Sequence, residues 1–218
     1  MSEVVTFAAL QAIISDFAAV MHSNADYLTR LDAVIGDGDH GRNMALGMEQ
    51  VRREVLTTPP GPPGTLLRTT GMALVTTVGG ASGPLYSAAF IAAGIAARSS
   101  TTLTLADLAH VARSAADALA RRGRCHVGDK TILDALDPAA QALAQAVADE
   151  RTLLYGLQAA AAAARRVMDA TVPLVARCGL ALQYGPASAG HADPGAASCA
   201  LLWESALRTF RRLYPLAR

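Results

Sequence analysis

The sequence predicts an all-α protein, and three observations carry this prediction. Hydrophobic residues make up 52% of the 218 residues, but aromatic residues make up only 5%, and alanine fills the difference. Alanine and leucine favour helices, and few β-branched runs alternate with the period of two that is typical of strands. Small side chains also allow helices to approach closely. We therefore predict one compact helical domain spanning residues 1–218.

Glycine and proline divide the N-terminal half into four predicted helices. The segment TTPPGPPG, residues 57–64, cannot continue a helix, because proline lacks the amide proton and clashes with the preceding turn. Gly79 and Gly80 end the third helix, and Pro84 suits the first turn of the fourth. The predicted helices cover residues 4–30, 43–56, 65–78 and 84–97.

Capping residues mark the clearest helix of the C-terminal half, at residues 103–123. Thr104 and Asp107 form a capping pair at its start, and Gly123 terminates it. Further helices are predicted at residues 129–148, 151–170, 171–178 and 195–213, with a loop at 179–194. In an up-and-down bundle of about eight helices, alternate loops share one end, so four motif-bearing loops are expected to converge there.

Composition excludes several functional classes. The net charge of +1 gives no basic surface for nucleic acid or a membrane. The N-terminus lacks the pattern of a signal peptide, and GGASGP interrupts the uncharged residues 69–97, so neither part can span a bilayer. Cys125, Cys178 and Cys199 are too widely spaced for a zinc site and are expected to be buried free thiols. We expect a cytoplasmic protein.

The segment LDAVIGDGDHGRNM, residues 31–44, concentrates Asp32, Asp37 and Asp39 on a glycine-rich loop. Carboxylates held together are costly unless a cation neutralises them. Magnesium prefers a few carboxylates together with water and substrate phosphates. The segment therefore predicts a magnesium site. The alternative is a capping loop, in which Asp37 or Asp39 caps the helix that follows.

Two other interpretations of this loop fail. Gly36-x-Gly38-x-x-Gly41 matches the dinucleotide fingerprint, but that fingerprint requires a strand before it and a βαβ unit around it. A calcium-binding EF-hand that began at Asp37 would need a glutamate where Met48 stands. Neither pattern describes the loop.

Two further loops could meet a phosphate. GGASGP, residues 79–84, offers backbone amides at the start of a helix, although a plain helix–helix turn is the alternative. GHADPG, residues 190–195, brings a histidine and an aspartate to another helix start. His40 and His191 lie on these loops, and the ordinary role of a single loop histidine is a surface hydrogen bond.

The segment from Gly123 to Thr131 resembles a phosphate-binding P-loop only in part. Asp129 intrudes before the lysine and no strand precedes the segment, so it is not a P-loop. Lys130 is the only lysine in the chain. Thr131 is expected either to cap the next helix or to contact a nucleotide.

Four segments in order, LDAVIGDGDHG, VGGASGPLY, VGDKTILDAL and GHADPGAAS, resemble the nucleotide-binding L subunits of dihydroxyacetone kinases. The resemblance spans nearly the whole chain and implies an antiparallel up-and-down barrel of eight helices, with the nucleotide site in the loops at one end. It implies that Asp32, Asp37 and Asp39 ligate two Mg²⁺ ions that bridge the phosphates of ADP or ATP. The implied nucleotide contacts are His40, Gly41, Asn43, Ala81, Ser82, Gly123, Thr131, Asp193, Pro194 and Gly195.

The same resemblance implies a phosphoryl-transferring subunit. Dihydroxyacetone would sit on a separate K subunit, bound through a histidine there, and the present chain would be inactive without it. In the phosphotransferase-system form of the enzyme, an M subunit fed by phosphoenolpyruvate rephosphorylates the bound ADP. A homodimer is also expected.

Three alternatives stay open at this stage. The first is an ATP-dependent kinase subunit for another ketose, such as erythrulose. The second, from another functional class, is a nucleotide-state sensor that controls a transcription regulator by protein contact. The third, a fatty-acid kinase domain, is less favoured, because that family typically has threonine where His40 stands.

One segment departs from the family pattern. The family usually has a longer, GRASYLGERS-like stretch before its GHxDPG motif, with an arginine that helps to hold the nucleotide. Here the stretch is YGPASAGHADPG, and Pro186 takes the place of that arginine. We therefore expect weaker retention of ADP, with Arg42 as the candidate replacement contact.

Overall fold

A computed structural model describes residues 4–80 and 82–215 of the chain. Within these ranges it consists of nine α-helices and one 3₁₀ helix, and the only β-type pairing is an isolated antiparallel bridge between Val5 and Leu103. The all-α prediction is confirmed. The helices are α1 (Phe7–Ser23), α2 (Ala25–Ile35), α3 (His40–Thr57), α4 (Pro63–Thr77), α5 (Ser82–Ala96), α6 (Leu105–Gly123), α7 (Leu133–Ala148), α8 (Leu153–Ala170) and α9 (Pro194–Leu213), with the 3₁₀ helix at Leu180–Ser188.

The long first helix predicted at residues 4–30 is in fact two helices. Asn24 separates α1 from α2, with φ −108° and ψ 11°, and its side-chain amide donates to the carbonyl of Val20 at 2.9 Å. Asparagine competes with helix continuation through such local hydrogen bonds. The break gives α2 its own direction and places Asp32 in its last turn.

Two predictions around residues 129–178 also need correction. α7 begins at Leu133, later than predicted, because residues 126–131 form turns held by side-chain hydrogen bonds. The helix predicted at 171–178 is absent, since after Thr171 the chain runs irregularly to the 3₁₀ helix. That 3₁₀ helix occupies part of the stretch predicted as a loop at 179–194.

The capping pair at the start of α6 is confirmed. The Asp107 carboxylate accepts the backbone N–H of Thr104 at 2.9 Å, and the Thr104 hydroxyl oxygen accepts the backbone N–H of Asp107 at 3.2 Å. These two bonds satisfy helix-end donors that would otherwise lack a partner. Local sequence alone therefore fixes where α6 begins.

The helices pack as a series of neighbours around one apolar core. α1 packs against α3, each helix from α3 to α8 packs against its successor, and α9 packs against α1. α2 lies against α3 and α9. Phe17, Met48, Leu74, Leu119 and Phe210 are among the fully buried core side chains. These contacts are compatible with the eight-helix barrel, whose antiparallel geometry stays a prediction.

The cysteines and the apolar segments agree with the sequence analysis in most respects. Cys125 and Cys199 are buried free thiols, whereas Cys178 is only half-buried. In the ranges that the structure describes, no helix has both the length and the apolar character that crossing a membrane requires.

Candidate functional site

One cavity brings together the loops that carry the sequence motifs. It lies where α2 ends, where α3, α5 and α9 begin, and where the turn before α7 meets the 3₁₀ helix. The residues that line it and were predicted as site residues are Asp32, Asp37, Asp39, His40, Ser82, Thr131, Asp193, Pro194 and Gly195. The convergence of distant loops is therefore a property of the fold.

The three carboxylates of the acidic loop, Asp32, Asp37 and Asp39, form one cluster, which we call the acidic triad. One carboxylate oxygen from each lies within 4.8 Å of the others. Asp32 is buried, and its Oδ2 accepts the backbone N–H groups of Asp39 at 2.9 Å and of His40 at 3.0 Å. Gly36 is required here, because a Cβ at that position would lie 2.0 Å from Asp32 Oδ1. The loop is thus shaped around a carboxylate.

Without a cation, the acidic triad is electrostatically unfavourable. Burial raises the pKa of Asp32, and the neighbouring Asp37 charge raises it further, against the two backbone N–H bonds. Burial and the same Asp37 charge raise the pKa of Asp39. Asp39 stands at the N-cap of α3, yet its side chain makes no capping bond, so the capping alternative does not account for it. A divalent cation would neutralise the triad, and the oxygen-only donor set suits magnesium.

The loop after α4 passes over Asp39. Gly80 has φ +66°, and a Cβ there would lie 3.6 Å from Asp39 Oδ1, so the backbone itself borders the triad. A hydrogen bond from the Asn43 side chain opposes the rise in the pKa of Asp39. Arg42 is exposed and acts on the same carboxyl pKa only through its charge.

His40 is a buried residue with two internal partners. Its Nδ1 lies 2.7 Å from Ser82 Oγ and its Nε2 lies 2.9 Å from Ser198 Oγ. Burial lowers the pKa of His40 to about 4, although a hydrogen bond with the Pro194 backbone and the Asp37 charge oppose this shift. The ring is therefore neutral at neutral pH, and the surface interpretation of this histidine is wrong. His191, in contrast, is exposed.

A second group of charges borders the cavity, in which Asp193 was predicted as a nucleotide contact while Lys130 and Asp134 had no predicted role. We call Lys130, Asp134 and Asp193 the lysine centre. Lys130 is 1% exposed and donates from Nζ to the carbonyls of Thr171 at 2.7 Å and His191 at 2.5 Å. Burial lowers the pKa of Lys130, against the charges of the two aspartates. The sequence offered one signal for this group, namely that Lys130 is the only lysine in the chain.

Both aspartates of the lysine centre are buried and accept backbone N–H groups. Asp134 accepts from Gly128 at 2.5 Å and from Thr131 at 2.6 Å. Asp193 is the N-cap of α9 and accepts from Ala196 at 2.6 Å. Burial and the Asp134 charge raise the pKa of Asp193 to about 7, against the Ala196 bond and the Lys130 charge.

Residues 172–190 form a segment that borders the cavity and is held by several hydrogen bonds, including three described here. At its base, the backbone N–H of Gly190 donates to the carbonyl of Val172 at 2.7 Å. Within it, the Ser188 hydroxyl accepts from the backbone of Ala176 at 2.8 Å. At its far side, the Tyr184 hydroxyl donates to the carbonyl of Gly36, in the acidic loop, at 2.9 Å. We call residues 172–190 the cover segment.

Four of the predicted contacts that the structure describes lie outside the cavity lining. Gly41 packs α3 against α2, where a Cβ would meet the carbonyl of Ala25 at 1.9 Å. Gly123 ends α6, and its carbonyl accepts from the Cys178 thiol at 3.4 Å. Arg42 and Asn43 flank Asp39. Ala81 lies outside the described residues.

Comparisons with known proteins agree with this arrangement. Residues 34–208 match the family model of the DAK2 domain. The chain is 38% identical over 179 residues to the ADP-binding subunit of the PEP-dependent dihydroxyacetone kinase of Escherichia coli K12, covering 82% of the chain and 85% of that relative. It is 36% identical over 203 residues to the corresponding subunit of the second such kinase of Listeria innocua, covering 92% and 93%.

A solved structure shows the same fold. The dihydroxyacetone kinase of C. freundii in complex with AMP-PNP and Mg²⁺ superposes with a TM-score of 0.72 at 26% identity. The match covers 95% of the present chain but only 35% of that kinase. The chain therefore corresponds to about a third of that protein's length.

Proposed function

Because the chain belongs to the DAK2 domain family, we propose that it is the ADP-binding subunit of a multi-subunit dihydroxyacetone kinase. The observation that carries this proposal is that one cavity contains both a group of negative carboxylates and the positive ends of helix dipoles. Three carboxylates meet there, and so do the N-termini of three helices, α3, α5 and α9. A magnesium–nucleotide complex satisfies both, because the cation suits the carboxylates and the phosphates suit the helix ends.

The acidic triad would hold the magnesium. The donor chemistry fits, since all three ligands are carboxylate oxygens and lie within 4.8 Å of one another. Bound magnesium would neutralise phosphate charge during phosphoryl transfer. The backbone N–H groups of Asp39 and His40 fix the orientation of Asp32, so that its carboxylate is in place before any ion arrives. We propose two ions, as the family resemblance implies.

The helix N-termini would hold the phosphates. His40, Ser82 and Pro194 are the first residues of α3, α5 and α9, and all three line the cavity. The helix dipole and the backbone N–H groups at such ends favour anions. At α3 and α9 the dipole is the main contribution, because Asp32 accepts the His40 N–H, Pro194 has none, and Asp193 accepts the Ala196 N–H. Beyond them, apolar side chains of Leu85 and Ile132, together with Thr131, would receive the nucleoside.

Among the described residues that line the cavity, neither the histidine nor the lysine is free to hold a ketose covalently, because Lys130 Nζ already donates to the carbonyls of Thr171 and His191. His40 is the cavity's only histidine among the described residues, and both of its ring nitrogens already have partners within the chain. In-line phosphoryl transfer needs positioning and charge neutralisation more than a protein nucleophile. We therefore propose that a separate K subunit carries dihydroxyacetone and that the present chain supplies the phosphoryl group. An M-type donor subunit and a homodimer are further proposals from the resemblance.

The experiment that tests the metal and nucleotide assignment is the substitution Asp37→Asn. Asp37 is exposed, so the fold should survive its substitution, but magnesium-dependent ADP binding should fall by roughly a hundredfold or more because a ligand is lost. Calorimetry with ADP and MgCl₂ measures this. Asp26→Asn, in the first turn of the same helix as Asp32, is the matched control and should bind normally. Unchanged ADP binding by Asp37→Asn would refute the assignment.

A phosphotransfer assay tests the subunit role. The chain is incubated with ATP or with a phosphoenolpyruvate-fed donor, in the presence and absence of a K subunit, with dihydroxyacetone or erythrulose as acceptor. We expect transfer to dihydroxyacetone only when the K subunit is present. Transfer to free triose by the chain alone contradicts the proposal. Nucleotide binding without transfer to any ketose would instead favour a nucleotide-state sensor.

A further inference from the structure

A buried chain of polar side chains links three helices at the edge of the cavity. The Tyr86 hydroxyl on α5 lies 2.8 Å from Ser198 Oγ on α9, and Ser198 Oγ lies 2.9 Å from His40 Nε2 on α3. His40 Nδ1 then lies 2.7 Å from Ser82 Oγ, at the first residue of α5. Tyr86, Ser198 and His40 are all buried. We call these four side chains the relay.

The direction of each hydrogen bond in the relay follows from counting protons. Ser198 has one hydroxyl proton, and its geometry directs that proton to the carbonyl of Gly195 at 3.0 Å, which can only accept. With that proton on Gly195, Tyr86 donates to Ser198 and His40 carries its ring proton on Nε2. The hydrogen bond between His40 and the Pro194 backbone agrees with this, because proline has no N–H and its carbonyl, one turn before Ser198 on α9, accepts from a ring N–H. The other ring nitrogen, Nδ1, is left with a lone pair. It can only accept the hydroxyl proton of Ser82.

From this count we propose that Tyr86 and Ser198 are positioning residues of the nucleotide site. They hold His40 as the Nε2–H tautomer, and His40 in turn holds Ser82 and the N-terminus of α5 at the cavity. The proposal rests on the proposed function, since it names residues that act on the same site. It also replaces the direct phosphate contact implied for His40 by a role through Ser82.

The relay has a consequence for how an anion is bound. Because the Ser82 hydroxyl proton is committed to His40, that hydroxyl cannot donate to a phosphate at the same time. A phosphate at the start of α5 therefore meets backbone N–H groups. The oxygen that Ser82 turns toward the cavity is an acceptor, suited to a water molecule or a cation.

The tautomer of His40 can be measured directly in the intact protein. In a ¹⁵N-histidine-labelled sample without nucleotide, the long-range ¹H–¹⁵N spectrum distinguishes a protonated Nε2 from a protonated Nδ1. We expect the Nε2–H form. A His40 ring protonated on Nδ1 would overturn the proposal, and this measurement requires no variant and no bound nucleotide.

A double-mutant cycle tests whether Ser198 acts through Ser82. Ser198→Ala should weaken magnesium–ADP binding by roughly three- to tenfold, the equivalent of one hydrogen bond. In a Ser82→Ala background the same substitution should have almost no further effect, because the residue it acts on is gone. Tyr86→Phe, which keeps the ring in the core, should lie between Ser198→Ala and the unsubstituted chain.

The matched control is Ser205→Ala, two turns further along α9. Ser205 is also fully buried and donates one side-chain hydrogen bond, to Asp16 at 2.5 Å, away from the cavity. It should leave ADP binding unchanged. Equal effects of Ser198→Ala and Ser205→Ala, or additive effects of Ser198→Ala and Ser82→Ala, would overturn the relay. The proposed function fails separately, through unchanged ADP binding in Asp37→Asn.

Discussion

The acidic triad and the lysine centre border the same cavity, and each concentrates aspartates, but only the lysine centre contains a cation of its own. In the lysine centre, both carboxylates accept backbone N–H groups and share the charge of Lys130. In the triad, only Asp32 accepts backbone N–H groups. Within residues 4–80 and 82–215, no direct ion pair joins the triad to a basic side chain, and Lys130 also acts on Asp134 and Asp193 through its charge without a direct ion pair.

The difference separates an internally balanced structural group from a ligand site. The ammonium of Lys130 is surrounded by carbonyl acceptors from Thr171, Val172 and His191, so it has little capacity left for a phosphate. The lysine centre contains its own cation without any ligand. The triad is balanced only when a cation is added. Similar residue types therefore have different functions in the same cavity.

Removing the lysine charge should have the largest effect on stability. Lys130→Met leaves Asp134 and Asp193 buried without their cation, and it removes the ammonium's hydrogen bonds to the carbonyls of Thr171 and His191, the two residues that flank the cover segment. Removing one charge from a buried group of opposite charges lowers the free energy of unfolding by about 3 kcal/mol or more. We expect the urea midpoint to fall accordingly, and a limited protease to cut the cover segment first.

The exposed Arg53→Met, on α3, is the control for this loss, because it also replaces a cation by methionine. Exposed ion pairs contribute little to stability, so its urea midpoint should be unchanged. If Lys130→Met unfolds at the same urea concentration as Arg53→Met, the lysine centre is not what holds the cover segment.

A second effect on stability should appear in its pH dependence. The folded-state pKa of Asp193 is raised to about 7 from an ordinary value of 3.8, so between these values the folded chain holds a proton that the unfolded chain releases. The free energy of unfolding should therefore fall as pH rises through this window, by at most about 1.4 kcal/mol per pH unit. Asp193→Asn keeps a cap for α9 but removes this slope.

The comparison is made by urea titration at several pH values, without magnesium or nucleotide. His40 contributes a slope of the opposite sign, since its pKa is lowered to about 4 and stability falls as pH drops below its ordinary value of 6.5. That contribution is present in both proteins and cancels in their difference. Parallel stability curves for Asp193→Asn and the unsubstituted chain would show that Asp193 does not titrate as described.

The same comparison shows what sequence reasoning can reach. The clustering of Asp32, Asp37 and Asp39 and the capping pair of Thr104 with Asp107 are local patterns, and the structure brings together the side chains that they predict. The nucleotide-contact roles of individual residues stay predictions. Helix-forming composition was enough to predict the fold class, because helical hydrogen bonds are local.

The features that were missed depend on contacts between distant residues. The Lys130 ammonium donates a hydrogen bond to the carbonyl of Thr171, 41 positions away. No local sequence pattern indicates that these two residues meet. Tyr86 and Ser198 end two of the family-like segments, yet nothing in either segment shows that they meet, 112 positions apart. Sequence periodicity carries no information about such pairs.

The smallest predicted effect concerns the hydrogen bond that ties the cover segment to the acidic loop. Tyr184 donates to the carbonyl of Gly36 at 2.9 Å, and Gly36 leaves room for the carboxylate of Asp32. Tyr184→Phe removes only this bond, which is worth about 1 kcal/mol, so ADP should leave roughly fivefold faster. Tyr155→Phe, on the exposed surface of α8, is the control, and a fluorescent-ADP displacement assay measures both. Equal off-rates for the two variants would mean that the cover segment does not limit release, and that ADP retention depends on the triad and the helix N-termini alone.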